Sequence, residues 1–444
     1  MEILIKAAQL ILSLSLLVVI HEAGHFMFAK LFGTRVEKFY LFFNPWFSLF
    51  KFKKGETEYG IGWIPFGGYV KISGMIDESM DKEQMKLPPE PYEFRSKTAW
   101  QRLLIMVGGV MMNVILAIII YIGISHTYGT SYISNNDVKS GYMFSPIAKE
   151  MGFKDGDKIL NVDGKTFDNY REITISVIFD DVEYVEIERN GEVKKVYIDK
   201  ALFPRLLEKG SWFLELRTPI IVDSLLPGAP ADVAGFKKGD KVIAIDSTEL
   251  QFFDQFKTAL ASKAGETAII SVQRDSSGTK IEKQLSVSVS TDTTIGFFQS
   301  QDISEIYPIK TIKYSFLESI PQGFKLAANQ IDNYTKQIKL IFSPETEAYK
   351  AVGSVVSMGN MFGATWDWLR FWNITAFLSI ILAVMNILPI PALDGGHVLF
   401  LIYEVVTRRK PSEKFMEYAQ TFGMFLLMAL MVLALGNDIY KLFQ

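Results

Sequence analysis

The chain has no cysteine. That absence excludes disulfides, a thiolate metal site and a cysteine nucleophile. It leaves the compartment open, because a cysteine-free domain folds on either side of a bacterial membrane. Histidine is nearly as scarce: among 444 residues it occurs only at His21, His25, His126 and His397. All four sit inside or beside apolar runs, where an unplaced polar residue is costly. A strong excess of one charge is also missing. With 46 basic and 49 acidic residues the net charge is −3, which gives no electrostatic footprint for nucleic acid.

What the chain does have is apolar sequence in blocks. A helix crosses a bilayer core with about 20 mostly apolar residues. The first such block starts near Ile3, runs through Ala7–Ile20 and ends in His21-Glu22-Ala23-Gly24-His25. No small-residue cleavage site follows it, so it reads as a retained span rather than a signal peptide. Leu103–Ser125 has 23 residues without a charge, Trp372–Leu393 has 22 and Tyr418–Asn437 has 20. The third block continues past Asp394 and His397 to about Tyr403. Cations cluster between the first and second blocks (Lys30, Arg35, Lys38, Lys51, Arg95, Lys97, Arg102) and between the third and fourth (Arg408, Arg409, Lys410, Lys414). The positive-inside rule places both loops in the cytoplasm, with the termini and the long insert at 126–371 outside.

The insert repeats itself. Gly152-Phe-Lys-Asp-Gly-Asp-Lys158 returns 83 residues later as Gly235-Phe-Lys-Lys-Gly-Asp-Lys241. Each copy is preceded by a short Pro-led helix, at Pro146 and Pro230, and followed by an apolar strand, Ile159–Val162 and Val242–Ile245. Further strands are expected at Val182–Glu188, Val193–Ile198 and Ala268–Val272, with turns at Asn190-Gly191 and Ser277-Gly278. The spacing predicts two β-rich domains, 126–219 and 220–306, inserted between membrane halves 1–125 and 372–444. Residues 307–371 read as an amphipathic linker, in which Lys310, Lys313 and Lys325 alternate with Ile312, Phe316, Ile320 and Phe324. It lies either on the outer membrane surface or against the preceding domain.

His21 and His25 are four residues apart, so on a helix both imidazoles project from one face and reach one ion. Glu22 beside them completes H-E-x-x-H, two zinc ligands and a general base. Catalytic zinc takes three protein ligands and keeps one position open. The third must come from another intramembrane polar residue, Asp394 or His397, in the run Asn386–His397. Asp394 is preferred, because a carboxylate partly neutralises the dication; His397 would then orient Asp394 or touch substrate. Pro389 and Pro391 break the third span just before them. From Ala7 to His21 a helix rises about 21 Å at ~1.5 Å per residue, which sets the metal inside the membrane, nearer the cytoplasm.

At these residues the chain resembles the site-2 protease family of intramembrane zinc metalloproteases, and closely its bacterial RseP-type branch. His21–His25 and Asn386–His397 have the family's form, and Gly60-Ile-Gly-Trp-Ile-Pro-Phe-Gly-Gly-Tyr-Val-Lys71 is similar to its membrane-associated β-loop. The two Gly-Phe-Lys repeats are similar to PDZ domains. The resemblance spans nearly the whole chain. It implies a multi-pass α-helical membrane protein with four spans, the third discontinuous, a β-loop and two inserted β-rich PDZ domains. It implies Zn2+ held by His21, His25 and Asp394, with Glu22 as base and Asn386 holding the substrate backbone. Gly67, Gly68 and Tyr69 of the β-loop would pair with an unwound substrate strand. The implied activity is regulated intramembrane proteolysis in the bacterial inner membrane. The substrates would be single-span membrane proteins, such as anti-sigma factors already cut once by an upstream site-1-type protease. The PDZ domains, outside the cytoplasm, would bind peptides or exclude bulky substrates.

Two departures bear on the substrate path. Gly108-Gly109 followed by Asn113 stands where relatives often show Gly-Pro, and Val352-Gly-Ser354 stands where they often show Gly-Pro-Ile-Gly. Rival readings are clearance of remnant signal peptides by the same site, a PDZ scaffold that does not cleave, and a cation transporter. Glu22 discriminates, since only a hydrolase needs a carboxylate beside the ligands.

Overall fold

The computed structural model of the chain describes residues 1–75, 87–207, 211–276, 278–300, 302–304, 306–351, 353 and 355–442. Ser277 of one expected turn, and Val352 and Ser354 of one departure, lie outside the described residues. The chain divides into two compact units, Met1–Thr130 with Ile312–Phe342 and Tyr349–Gln444, and Ser131–Thr311 with Ser343–Ala348.

The first unit is built on helices α1 (Glu2–Leu31), α2 (Ala99–Tyr128), α3 (Phe316–Ile341), α4 (Trp368–Ile387), α5 (Asp394–Thr407) and α6 (Glu413–Leu442). Among the described residues α1, α2, α4 and the Lys414–Ala434 part of α6 are long and apolar enough to cross a membrane. Helices α1, α2 and α6 overrun their apolar blocks at both ends, because backbone capping ends a helix and hydropathy does not. In α2 the Thr98 side chain accepts from the Gln101 amide while Gln101 reaches back to Thr98, a capping box upstream of the first apolar residue. Helices α1 and α2 cross at glycines. A Cβ on Gly24 would lie 2.2 Å from the Gly108 carbonyl oxygen, and one on Gly108 would lie 2.7 Å from that of Gly24. Only hydrogen at both positions lets the backbones touch.

Between α1 and α2 the chain forms a four-stranded sheet: β1 (Val36–Phe43), β2 (Phe50–Lys54), β3 (Thr57–Ile61) and β4 (Ile64–Ile72), in the order β2-β3-β1-β4. The β-loop expected at 60–71 is thus the second half of a larger sheet. β1 pairs with β3 in parallel and with β4 antiparallel, a non-local arrangement that no turn residue announces. Among the described residues β4 is an edge strand. Phe26 of α1 packs edge-on to Phe39 of β1, at a centroid distance of 5.7 Å, and joins the sheet to the helix.

Within the stretch read as an amphipathic linker the chain forms α3. This helix packs along α2, where Ala327 joins Ile120, Tyr121 and Ile124 in one buried cluster. Ser319, Gly323 and Ala327, spaced four apart, are its buried positions. That narrow small-residue stripe lets α3 and α2 pack closely, while Phe316, Leu317 and Phe324 stay exposed. Further on, α4 stops at Ile387 and α5 begins at Asp394. Pro389 and Pro391 lie in the break, and Ala392 adopts φ 81°.

The second unit holds two hydrophobic clusters. One gathers Tyr142, Phe144, Phe153, Ile159, Val185 and Phe213; the other gathers Ile220, Phe236, Val242, Phe256, Ile270 and Val272. The repeated sequence makes the same local structure twice. Asp157 accepts from the Lys154 amide at 2.8 Å and pairs with Arg189 at 2.6 Å. Asp240 accepts from the Lys237 amide at 2.8 Å and pairs with Arg274 at 2.6 Å. Each guanidinium also donates to the first glycine of its repeat, Gly152 or Gly235, at 2.8 Å. Tyr307, read in the sequence as the start of the linker, is instead buried in the first cluster and donates to the Arg217 carbonyl at 2.6 Å. Its apolar ring fits that core, and its hydroxyl finds a partner there.

Candidate functional site

Three donor atoms converge in the first unit. His21 Nε2 and His25 Nε2 lie 3.2 Å apart, with Asp394 Oδ2 at 3.1 Å from the first and 3.4 Å from the second. Bonds of about 2.0–2.1 Å to a tetrahedral cation separate its ligand atoms by about 3.3–3.4 Å, so the three atoms are spaced like one tetrahedral face. Asp394 Oδ2 is buried and has no hydrogen-bond partner, an expensive state for a carboxylate oxygen. A cation supplies what it lacks. The donor set, two imidazoles and a carboxylate, suits a divalent metal of the zinc type. Among the described residues no other group of three such side chains closes so tightly.

The sequence produces this geometry by simple means. One turn of α1 sets the His25 ring edge-on to that of His21, with centroids 4.8 Å apart. The break before α5 lets Asp394 turn in at the first helical position. Helix α2 forms the back wall. A Cβ on Gly109 would lie 2.5 Å from His25 Nε2 and 2.6 Å from His21 Cε1, so no side chain fits there. His25 Nδ1 is 2.9 Å from the Ile105 carbonyl oxygen. A carbonyl only accepts, so Nδ1 carries the proton and Nε2 keeps its lone pair for a cation. His21 Nδ1 faces the Asn113 side-chain amide at 3.3 Å.

A cavity of about 510 Å³ opens beside these atoms, lined by His21, Glu22, His25 and Asp394 on one side and by Gly68, Tyr69 and Val70 of β4 on the other. Glu22 and Val70 of β4 line this cavity together. The edge strand, the acid and the three donors therefore share one chamber.

The other candidates are distributed more widely. Asn386 reaches His21 Nε2 at 3.4 Å without lining the cavity. Gly67 stands beside the Phe43 ring, which a Cβ would approach to 2.8 Å, and does not line the cavity. The Tyr69 hydroxyl donates to Asn44 at 2.8 Å. His397 departs from expectation. Its Nε2 lies 2.8 Å from Gln420 of α6, in a second cavity with the Arg102–Glu404 ion pair. Three residues of helix carry it along α5 from Asp394, and α6 captures the ring. His126 is exposed on α2 beside Phe316. The sequence reading did not assign roles to Gly109 or Asn113. Asn113 had one available signal, an amide in an otherwise uncharged membrane run.

Comparison with known proteins agrees with this chemistry. Residues 9–430 match the model of peptidase family M50. A protein of Clostridium perfringens that carries the name zinc metalloprotease is 30% identical over 432 residues, covering 97% of both chains. Protease RseP of Yersinia pestis is 26% identical over 477 residues, and the regulator of sigma E protease of Haemophilus influenzae is 25% identical over 470, each across 100% of both chains. The chain belongs to peptidase family M50, and it is a zinc metalloendopeptidase of the membrane.

Proposed function

We propose that the chain cleaves peptide bonds within transmembrane segments of single-span membrane proteins, at zinc held by His21, His25 and Asp394. The convergence of those three atoms, one of them an orphaned buried carboxylate oxygen, carries the reading. Helices α4 and α5 are then the two parts of one broken third span, and irregular backbone at that depth is tolerated because it borders a polar chamber.

A peptide bond inside a helix has its carbonyl hydrogen-bonded and its flanks crowded, so hydrolysis needs local unwinding. The edge of β4 offers an unwound strand a partner, with Gly68 and Tyr69 alongside the cavity. Zinc bound at the three donors supplies Lewis acidity, lowering the pKa of water and polarising a carbonyl. Glu22, one residue from His21 and facing the same chamber, takes the proton from water and delivers it to the leaving amine. Asn386, whose amide nitrogen lies 3.4 Å from His21 Nε2, would donate to the carbonyl on which negative charge develops.

The two β-rich modules of the second unit are assigned as PDZ domains. Support comes from the element order shared by both: a short strand, a Pro-led helix, a glycine turn, a core strand, a second helix and a hairpin. The cation-rich loops at 30–102 and 408–414 support an outer-face location for these modules. There they would admit substrates already shortened by an earlier cut, as expected for relatives named as regulators of a sigma factor.

The test is Glu22→Gln in the full chain, reconstituted with a single-span substrate. Cleavage stops while zinc content stays at that of the native protein. Cleavage at the native rate would remove Glu22 from the mechanism.

A further inference from the structure

We propose that Asn113 is a positioning residue of the metal centre, which holds His21 by Nδ1 so that Nε2 keeps its lone pair toward the cation. The inference rests on the assignment of His21 as a zinc ligand. Asn113 is fully buried in α2, and its amide nitrogen lies 3.3 Å from His21 Nδ1. Its other polar atom, Oδ1, is buried and has no hydrogen-bond partner. Such an orphaned acceptor costs about 1–3 kcal/mol. The two ends of an amide have the same shape, and the surrounding network decides which faces where.

Ligand chemistry decides it here. An imidazole that gives the Nε2 lone pair to a cation carries its proton on Nδ1 and donates from there. An NH2 group opposite Nδ1 cannot accept that proton. Turned over, the Asn113 amide presents Oδ1 to Nδ1–H. With the amide nitrogen opposite Nδ1, the His21 proton resides instead on Nε2, the atom 3.1 Å from Asp394 Oδ2. The amide orientation and the His21 tautomer are therefore coupled, and occupancy of the site selects one of the two arrangements.

The rest of the neighbourhood holds Asn113 still. Ser379 of α4 donates to its backbone carbonyl at 2.8 Å. One turn earlier, Gly109 lies against both rings. The same helix also gives His25 its outer partner, the Ile105 carbonyl. α2 thus supplies a fixed acceptor for one ligand and a reversible one for the other.

The experiment measures zinc affinity of the full chain in nanodiscs by competition with a chromophoric chelator, together with the visible spectrum of the Co2+ form. Asn113→Leu keeps the volume and removes the acceptor; Asn113→Asp keeps an acceptor; His21→Ala controls the underlying assignment. The expected result is binding weakened about 10- to 100-fold in Asn113→Leu, with a shifted Co2+ spectrum. Asn113→Asp restores affinity to within about tenfold of native. If His21→Ala loses tight zinc while Asn113→Leu matches the native affinity and spectrum, the positioning role is overturned and the metal assignment stands. If His21→Ala binds zinc as tightly as native, the metal assignment itself fails. Should Asn113→Leu not fold, Asn113→Asp decides: binding weakened by more than about tenfold overturns the role, and a smaller change supports it.

Discussion

The β-rich modules and the helical bundle both bury aspartates, in opposite states. Asp157 and Asp240 are 1% and 0% exposed, and each is saturated by a guanidinium and a backbone amide. Asp394 also turns an oxygen into the interior, yet that oxygen has no hydrogen-bond donor and faces two imidazole nitrogens. A saturated buried acid is a structural clamp, since each pair ties the repeat's glycine turn to a neighbouring strand. An unsaturated one is costly unless something outside the chain completes it. The difference separates a clamp from a candidate cation site without reference to sequence position.

Removing each acid sharpens that contrast. Asp394→Ala should abolish tight zinc binding and cleavage together, read by metal analysis and a substrate assay, with the helical bundle still folded by circular dichroism. Glu22→Gln, one step from the metal, should cut the turnover rate about 10²–10⁴-fold with zinc retained. Asp240→Ala should do the reverse. It strands the Arg274 guanidinium and destabilises the module by about 3–5 kcal/mol in urea unfolding, leaving zinc stoichiometry unchanged. Gly109→Ala pushes a methyl into both ligand rings, and overpacking of this kind should weaken zinc binding by about 1–3 kcal/mol, read by chelator competition.

The smallest effect lies at the surface of the modules. Hydrogen bonds from Ser134 and then Tyr132 hold the Asp168 carboxyl below the usual carboxylate range. A depressed carboxylate contributes stability that is present above its unfolded pKa, near 4, and is lost as pH falls through the lower folded value. Asp168→Asn should therefore flatten the acid limb of the stability profile slightly and change nothing at neutral pH beyond a modest uniform offset.

Sequence alone made the chemistry more legible than the architecture. Hydropathy located the helices that can cross a membrane, and His21, Glu22, His25 and Asp394 stood out because charge and imidazole are rare inside apolar runs. The repeat at Gly152 and Gly235 was visible because a turn geometry needs its glycines and its aspartate at fixed offsets. What stayed hidden depends on distant pairing. The parallel match of β1 with β3 leaves no local signature. Nor does the packing of α3 on α2, because Ser319, Gly323 and Ala327 read as unremarkable small residues until a partner helix is known. Asn113 is 92 positions from His21, and nothing short-range links an amide to a ring at that separation. The contact of His397 with Gln420 was hidden for the same reason, since Gln420 belongs to another helix.

The contact between His25 and the Ile105 carbonyl carries a consequence for heredity. That acceptor is main chain, so no codon change at position 105 can delete it while the helix persists. Half of the support behind the two imidazoles is thereby immune to point mutation, and the burden of genetic vulnerability falls on the other ring.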